Sequence, residues 1–387
     1  MNSSGSSIRR AQSCAVDARD AVREFHAGVA QANMALVLFF CSSEYELDVI
    51  AAEMDRLFAG VQVVGCTTAG EIGPAGYREH SLTGASFGAA DFTAIVGHIE
   101  HLQRFDVADG QAFVQAQLQT LQSLAPGAGP HNSFAMLLID GMSVREEPVT
   151  LTLQAMLDRV PLIGGSAADG LRFGGTYIYL RGRFHADSAA MILFATPLPF
   201  RAFKIQHFVP TEKTMVVTEA DTAQRIVREI NGLPAAEEYA RLIGVGVDEL
   251  DPSRFAASPV VVLIDGTNYV RSIQKANADG GLTFFCAIDE GLVLRLARGE
   301  DLVANMEQSF AAIRAEIGPP KLVIGYDCIL RKVEIGQTGI NERVSGVFES
   351  NNAIGFSTYG EQYRGIHINQ TLTGIAIGAA VAEASHG

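Results

Sequence analysis

Two seven-residue segments of the chain echo each other, G-C-T-T-A-G-E at 65–71 and G-F-S-T-Y-G-E at 355–361, and G-G-S-A-A-D-G at 164–170 has the same small, hydroxylated character. Glycine lets backbone amides come close to a bound molecule, Ser and Thr hydroxyls both donate and accept, and a lone carboxylate can hold an amine or a guanidinium. Thr67, Thr68, Gly70 and Glu71, then Ser166 and Asp169, then Ser357, Thr358 and Glu361 are therefore candidate walls of a ligand pocket. The plainer reading is that Gly70, Gly165 and Gly360 serve turns while Glu71 and Glu361 cap helices.

Catalysis finds less support. Cys66 or Ser166 would serve as the nucleophile of a hydrolase, with loop amides as oxyanion hole, yet nothing in the sequence sets a base beside either. G-F-S-T-Y-G lacks the second glycine of a nucleophile elbow, since Tyr359 stands there. The chain contains no phosphate loop, no dinucleotide-binding glycine pattern, no H-E-x-x-H and no C-x-x-C. His98 and His101, in G-H-I-E-H-L, fall on opposite faces of a strand and read as solvated side chains. A non-catalytic binding protein is the expectation.

The elements that must carry these loops are legible from hydrophobic periodicity. A-L-V-L-F-F-C-S-S (35–43) reads as a buried strand, 44–58 as an amphipathic helix, and V-Q-V-V-G-C (61–66) as a second strand, parallel to the first by the right-handed crossover rule. A helix is expected from about Val16, after an N-terminal M-N-S-S-G-S-S too small and polar to order. K-L-V-I-G-Y-D-C (321–328) repeats the first strand and also closes on a cysteine; 24 residues separate Cys41 from Gly65 and 27 separate Cys328 from Gly355. Each gap fits one helix, so two related modules are expected, of mixed α+β class with helices flanking mixed sheets. L-L-I-D-G at 137–141 and V-L-I-D-G at 262–266 are expected to end central buried strands.

Composition bounds the partners. With 29 Lys and Arg against 43 Asp and Glu, the net charge of -14 disfavours nucleic acid and anionic membrane surfaces. Five scattered cysteines read as reduced thiols, and Arg9 and Arg10 are followed by charged residues where a signal peptide needs an apolar run, so a cytoplasmic protein is expected. T-L-T-G-I-A-I-G-A-A-V-A (371–382) is too short to span a bilayer.

V-V-G-C-T-T-A-G-E-I, L-I-D-G-M-S followed by Glu146-Glu147, L-I-G-G-S-A-A-D, C-I-L-R at 328–331 and G-F-S-T-Y-G-E-Q together resemble the FIST family of bacterial sensory domains. The resemblance implies an N-terminal extension (1–30), a FIST N-terminal domain (31–215) and a FIST C-terminal domain (216–385). F-K-I-Q-H-F-V-P-T and Y-G-E-Q-Y-R-G-I-H-I-N-Q-T are similar to the branch that senses nitric oxide through haem b and regulates a histidine kinase; other members are proposed to sense amino acids. A haem iron would take His367 as first choice, which shares a strand face with Tyr363, Gly365 and Asn369, or His207 among Phe203, Ile205 and Val209, with Tyr359 in the same pocket. Output would pass to a separate signalling protein, with self-association left open.

Overall fold

The computed structural model describes residues 7–264 and 266–379. Its organising feature is one strand-and-helix succession that occurs three times. The first unit runs β1 (Ile8–Ser13), α1 (Ala18–Val29), β2 (Met34–Ser42), α2 (Leu47–Leu57), β3 (Val63–Thr68), β4 (Glu71–Gly73), β5 (Gly76–Arg78) and β6 (Leu82–Gly88). The second repeats it as β7 (Thr93–Glu100), α3 (Val107–Leu124), β8 (Ser133–Ile139), α4 (Glu146–Leu157), β9 (Leu162–Ser166), β10 (Ile178–Leu180), β11 (Arg183–His185) and β12 (Ser188–Ala195). The third begins with β13 (Phe200–Ile205), is interrupted by an insertion, and resumes at α7 (Leu302–Ile317). It continues as β22 (Leu322–Cys328), α8 (Ile329–Thr338), α9 (Asn341–Ser350), β23 (Ala353–Thr358), β24 (Glu361–Tyr363), β25 (Ile366–Ile368) and β26 (Leu372–Ile377).

Within each unit the strands align identically. β2 and β3 are parallel, β6 returns antiparallel to β2, and β1 closes the far side; β8, β9, β12 and β7 do the same, as do β22, β23, β26 and β13. The two short strands of each unit leave home. The β4–β5 hairpin joins β23 of the third sheet, β24–β25 joins β9 of the second, and β10–β11 joins β3 of the first. The exchange closes a cycle, and each sheet has six strands.

Strand alternation divides the core. Leu36, Leu38 and Phe40 of β2, Phe134, Met136 and Leu138 of β8, and Leu322, Ile324 and Tyr326 of β22 share one apolar centre. The intervening Val37, Phe39 and Cys41 pack instead under α1 and α2, and Ala135, Leu137 and Ile139 under α3 and α4. The first helix of each unit is capped by an aspartate, Asp17, Asp106 or Asp301, whose carboxylate accepts from first-turn amides. Gly65, Gly164 and Gly355, each third in its strand, face Phe39, Leu137 and Gly325 across the parallel pair, and a Cβ there would run into the partner's carbonyl oxygen.

The insertion between Ile205 and Leu302 holds β14 to β21, from Phe208 to Gly299, in an eight-stranded sheet with α5 (Ala235–Ile243) and α6 (Pro252–Ala257). It packs Met215, Phe255 and Phe285 against Ala69, Ala168 and Tyr359, one residue from each shared loop. Arg225 fastens it to the second unit through Glu146, at 2.7 Å, and Glu147.

The mixed α+β class is as expected. Motif matching found two related modules; the structure has three, and the matched loops belong to the first and third. Asp140-Gly141 follows β8, which is central and buried. The other Asp-Gly pair gave a false parallel: Val260–Ile264 is a strand of the insertion, Leu263 is 59% exposed, and Asp265 lies outside the described residues. Residues 8–13, within the N-terminal extension, form the edge strand of the first sheet, with Ile8 and Ser13 buried and Arg9 exposed. The M-N-S-S-G-S stretch lies outside the described residues. No helix among the described residues is long and apolar enough to cross a membrane.

Candidate functional site

The three small-residue loops follow the equivalent strands β3, β9 and β23, and they meet. The fifth residue of each strand donates its amide to the residue that precedes the incoming hairpin: Thr67 to Tyr177 O at 3.0 Å, Ser166 to Gly360 O at 2.9 Å and Ser357 to Gly70 O at 2.7 Å. Ala69 donates to Ser357 O and Ala168 to Thr67 O, both at 3.0 Å. The loops are thus one hydrogen-bonded hub at the carboxyl ends of the parallel strands, the edge where open α/β sheets place ligands.

Beside the hub lies a cleft of about 520 Å³ to which all three units contribute. The first unit supplies Ser42 to Glu44, Thr68 to Gly70, and Glu79 with His80; the second supplies Asp169 to Arg172; the third supplies one face of α8, from Ile329 to Gln337. Lys332 reaches across from α8 to donate to Ala69 O at 2.5 Å and pairs with Glu79 at 2.7 Å. Arg172 straps the second unit to the first, donating to Ser43 Oγ at 2.6 Å and Glu44 Oε1 at 3.3 Å. Asp169 is spent on structure: its carboxylate accepts from the amides of Phe173, Gly174 and Gly175 at 2.8–3.0 Å and from the Tyr359 hydroxyl. Ala69, Ile329 and Val333 give the cleft an apolar wall.

Of the residues singled out in the sequence, Thr68, Gly70 and Asp169 line this cleft; Thr67, Glu71, Ser166, Ser357, Thr358 and Glu361 are buried behind it. Glu71 accepts from the amide and hydroxyl of Ser81 at 2.9 and 2.8 Å and touches Thr68; Glu361 accepts from the amide and hydroxyl of Thr371 at 3.0 and 2.6 Å. Both carboxyls therefore pin a departing hairpin to the strand that follows it, at corresponding positions, and neither caps a helix. In the second unit Asp140 takes this part, accepting from the amide of Asp187 at 2.6 Å. Burial pushes Glu71 up to about 7, against the hydrogen bonds of Thr68 and Ser81 and the charge of Lys332. Burial also raises Glu361 well above the usual range.

Neither nucleophile candidate is equipped. Cys66 is fully buried and burial holds its thiol well above its ordinary value. The Ser166 hydroxyl accepts from Gln362 at 3.0 Å, and no imidazole among the described residues is bonded to it. The imidazoles proposed for haem are built into the interior. His207 meets Glu334 through Nε2 and Arg331 through Nδ1, each at 3.0 Å, so both nitrogens are engaged. His367 Nδ1 meets Gln362 at 3.1 Å; its Nε2 has no partner among the described residues, but that edge of the ring fills the space a Cβ on Gly360 would take. His80, the one imidazole among the described residues lining the cleft, has both nitrogens at 3.3 Å from acceptors, Glu44 and Val16 O. Tyr359 donates to Asp169 and Gly170 O and packs on Phe173. So placed, these side chains do not fit an axial haem ligand.

Sequence reasoning missed Lys332, Arg172 and Glu44. Lys332 follows the C-I-L-R motif directly, which was a usable signal; Arg172 and Glu44 carry none, because they meet across 128 residues.

Residues 35–233 match the FIST N domain and residues 235–364 the FIST C domain. The chain belongs to the FIST family, whose domains are small-ligand sensory domains of signalling proteins. No curated protein matches it.

Proposed function

We propose that the protein is a sensor for a small zwitterionic metabolite of amino-acid size, held in the cleft where the three units meet, and that occupancy is read by a separate signalling protein such as a histidine kinase. The observation that carries this reading is the pairing of charges at the cleft. Lys332 and Arg172 are held by Glu79, 79% exposed, and Glu44, 54% exposed. Solvated pairs of this kind are worth about 0–1 kcal/mol, so a ligand carboxylate can displace them, and the released glutamates then face its ammonium group. Since each unit owns part of the wall, filling the cleft ties the units together, which gives a partner surface something to read.

The test is calorimetric titration and thermal denaturation with the common amino acids and, separately, with haem. A true ligand at a hundredfold above its Kd stabilises by about 2.7 kcal/mol, and Lys332→Ala and Arg172→Ala should each weaken it at least tenfold. Stoichiometric haem uptake whose Soret band disappears in His367→Ala, with no amino acid bound, would overturn the proposal in favour of the haem and nitric oxide reading.

A further inference from the structure

His98 and His101 read as solvated strand histidines, but the His98 side chain is only 4% exposed, and His101 has left the strand with φ at 58°. What His98 faces is a histidine from elsewhere. His185, the last residue of the exchanged β11, brings its ring to within 4.6 Å of His98, centroid to centroid, edge to face. Glu100, two residues along the same strand and so on the same side, sets Oε1 3.7 Å from His98 Nδ1. One ligand atom from each of the three lies within 4.8 Å of the other two.

We propose that His98, His185 and Glu100 form a binding site for a divalent transition metal of the zinc type. Three observations converge. His98 Nε2 is buried without a hydrogen-bond partner among the described residues, a costly condition that an ion bound at that nitrogen would remove. The Nε2 of His185 sits 3.1 Å from the carbonyl oxygen of Leu180; donating there, it leaves Nδ1 with a free lone pair, the arrangement by which a backbone acceptor orients a metal-binding imidazole. Two imidazoles and a carboxylate suit Zn²⁺ and its neighbours, whose tetrahedral ligand atoms stand about 3.3 Å apart at bond lengths of about 2.0 Å, so the present atoms, within 4.8 Å of one another, would draw together by at most about 1.5 Å.

A neighbouring cavity of about 320 Å³ is lined by His98 and Glu100 together with His101, Arg104, Asp106 and Asp109, and it would give an ion at the site access to solvent or a further ligand. The ion would also join two sheets, since His98 lies on the edge strand of the second and His185 on the hairpin attached to the first. It would act as a clasp on the hairpin exchange, at a distance in sequence and fold from the sensor cleft and independent of its ligand.

The experiment is titration of chelator-stripped, untagged full-length protein with Zn²⁺ and, for its visible absorption, Co²⁺. One equivalent should bind, and His98→Ala and His185→Ala should each weaken binding by more than tenfold, with a smaller loss for Glu100→Gln. Wild type that binds no equivalent of either ion, or variants that bind as tightly as wild type, would overturn the site. Should either histidine variant fail to fold, imidazole ¹⁵N spectra of the wild type decide: shifts confined to His98 and His185 on one equivalent of Zn²⁺ support it, and unmoved resonances overturn it.

Discussion

Glu71 is a carboxyl without water, and its environment has a thermodynamic signature. Its folded value of about 7 lies above the ordinary 4.5, so the native state holds a proton that the unfolded chain releases between those values. The stability it contributes is fully present below pH 4.5 and is lost as pH rises through 7. In urea titrations, wild type should lose about 2–3 kcal/mol relative to Glu71→Gln between pH 5 and 8; parallel pH curves would refute the assignment. The buried pair of Arg331 and Asp327, at 2.6 Å and fully buried on both sides, has the opposite character of a charge that must not be orphaned. Arg331→Met should cost about 3–5 kcal/mol, much of it recovered when Asp327→Leu is added, as chemical denaturation would show. Residue types in the sequence identified the loops and, within them, Thr68, Gly70 and Asp169 as cleft residues. They did not separate wall from backing, because Glu71 and Glu361 look equally available for a ligand until Ser81 and Thr371 are seen to occupy them.

At the scale of the element, the strands of the first and last units were legible because each is a long apolar run closing on cysteine. The middle unit was not seen as their equal. Its loop has no terminal glutamate, Asp140 having taken that task from another strand; T-Y-I-Y-L at 176–180 reads as a strand but carries no sign that it pairs with the first unit, and the three-residue β11 is below the reach of any periodicity. The third copy is further hidden by the insertion that parts β13 from α7. One signature was present throughout: the glycine in V-V-G-C, L-I-G-G and A-I-G-F marks where the parallel neighbour's carbonyl comes too close for a side chain. Gly164→Ala should therefore destabilise by about 1–3 kcal/mol through forced strand displacement, read as a lowered Tm. Gly127→Ala, with open space around it, should leave the Tm unchanged.

Considered as a whole molecule, no unit owns a complete sheet. Residues 1–199 alone would leave β9 without β24, and residues 200–387 would leave β23 without β4, each with a bare central edge. Expressed separately, both fragments should aggregate or show poor near-ultraviolet dichroism. Co-expressed, they should elute as one complex with native spectra, and two independently folded halves would refute the cyclic exchange. The same topology sets a timetable for the ribosome. The second unit finishes its own last strand at Ala195, but the segment that closes β9 does not begin until Glu361. At about 5–20 residues per second the nascent chain carries that open strand for roughly 10 to 30 s. Translation speed across the insertion thereby governs how long newly made chains are exposed to capture by one another.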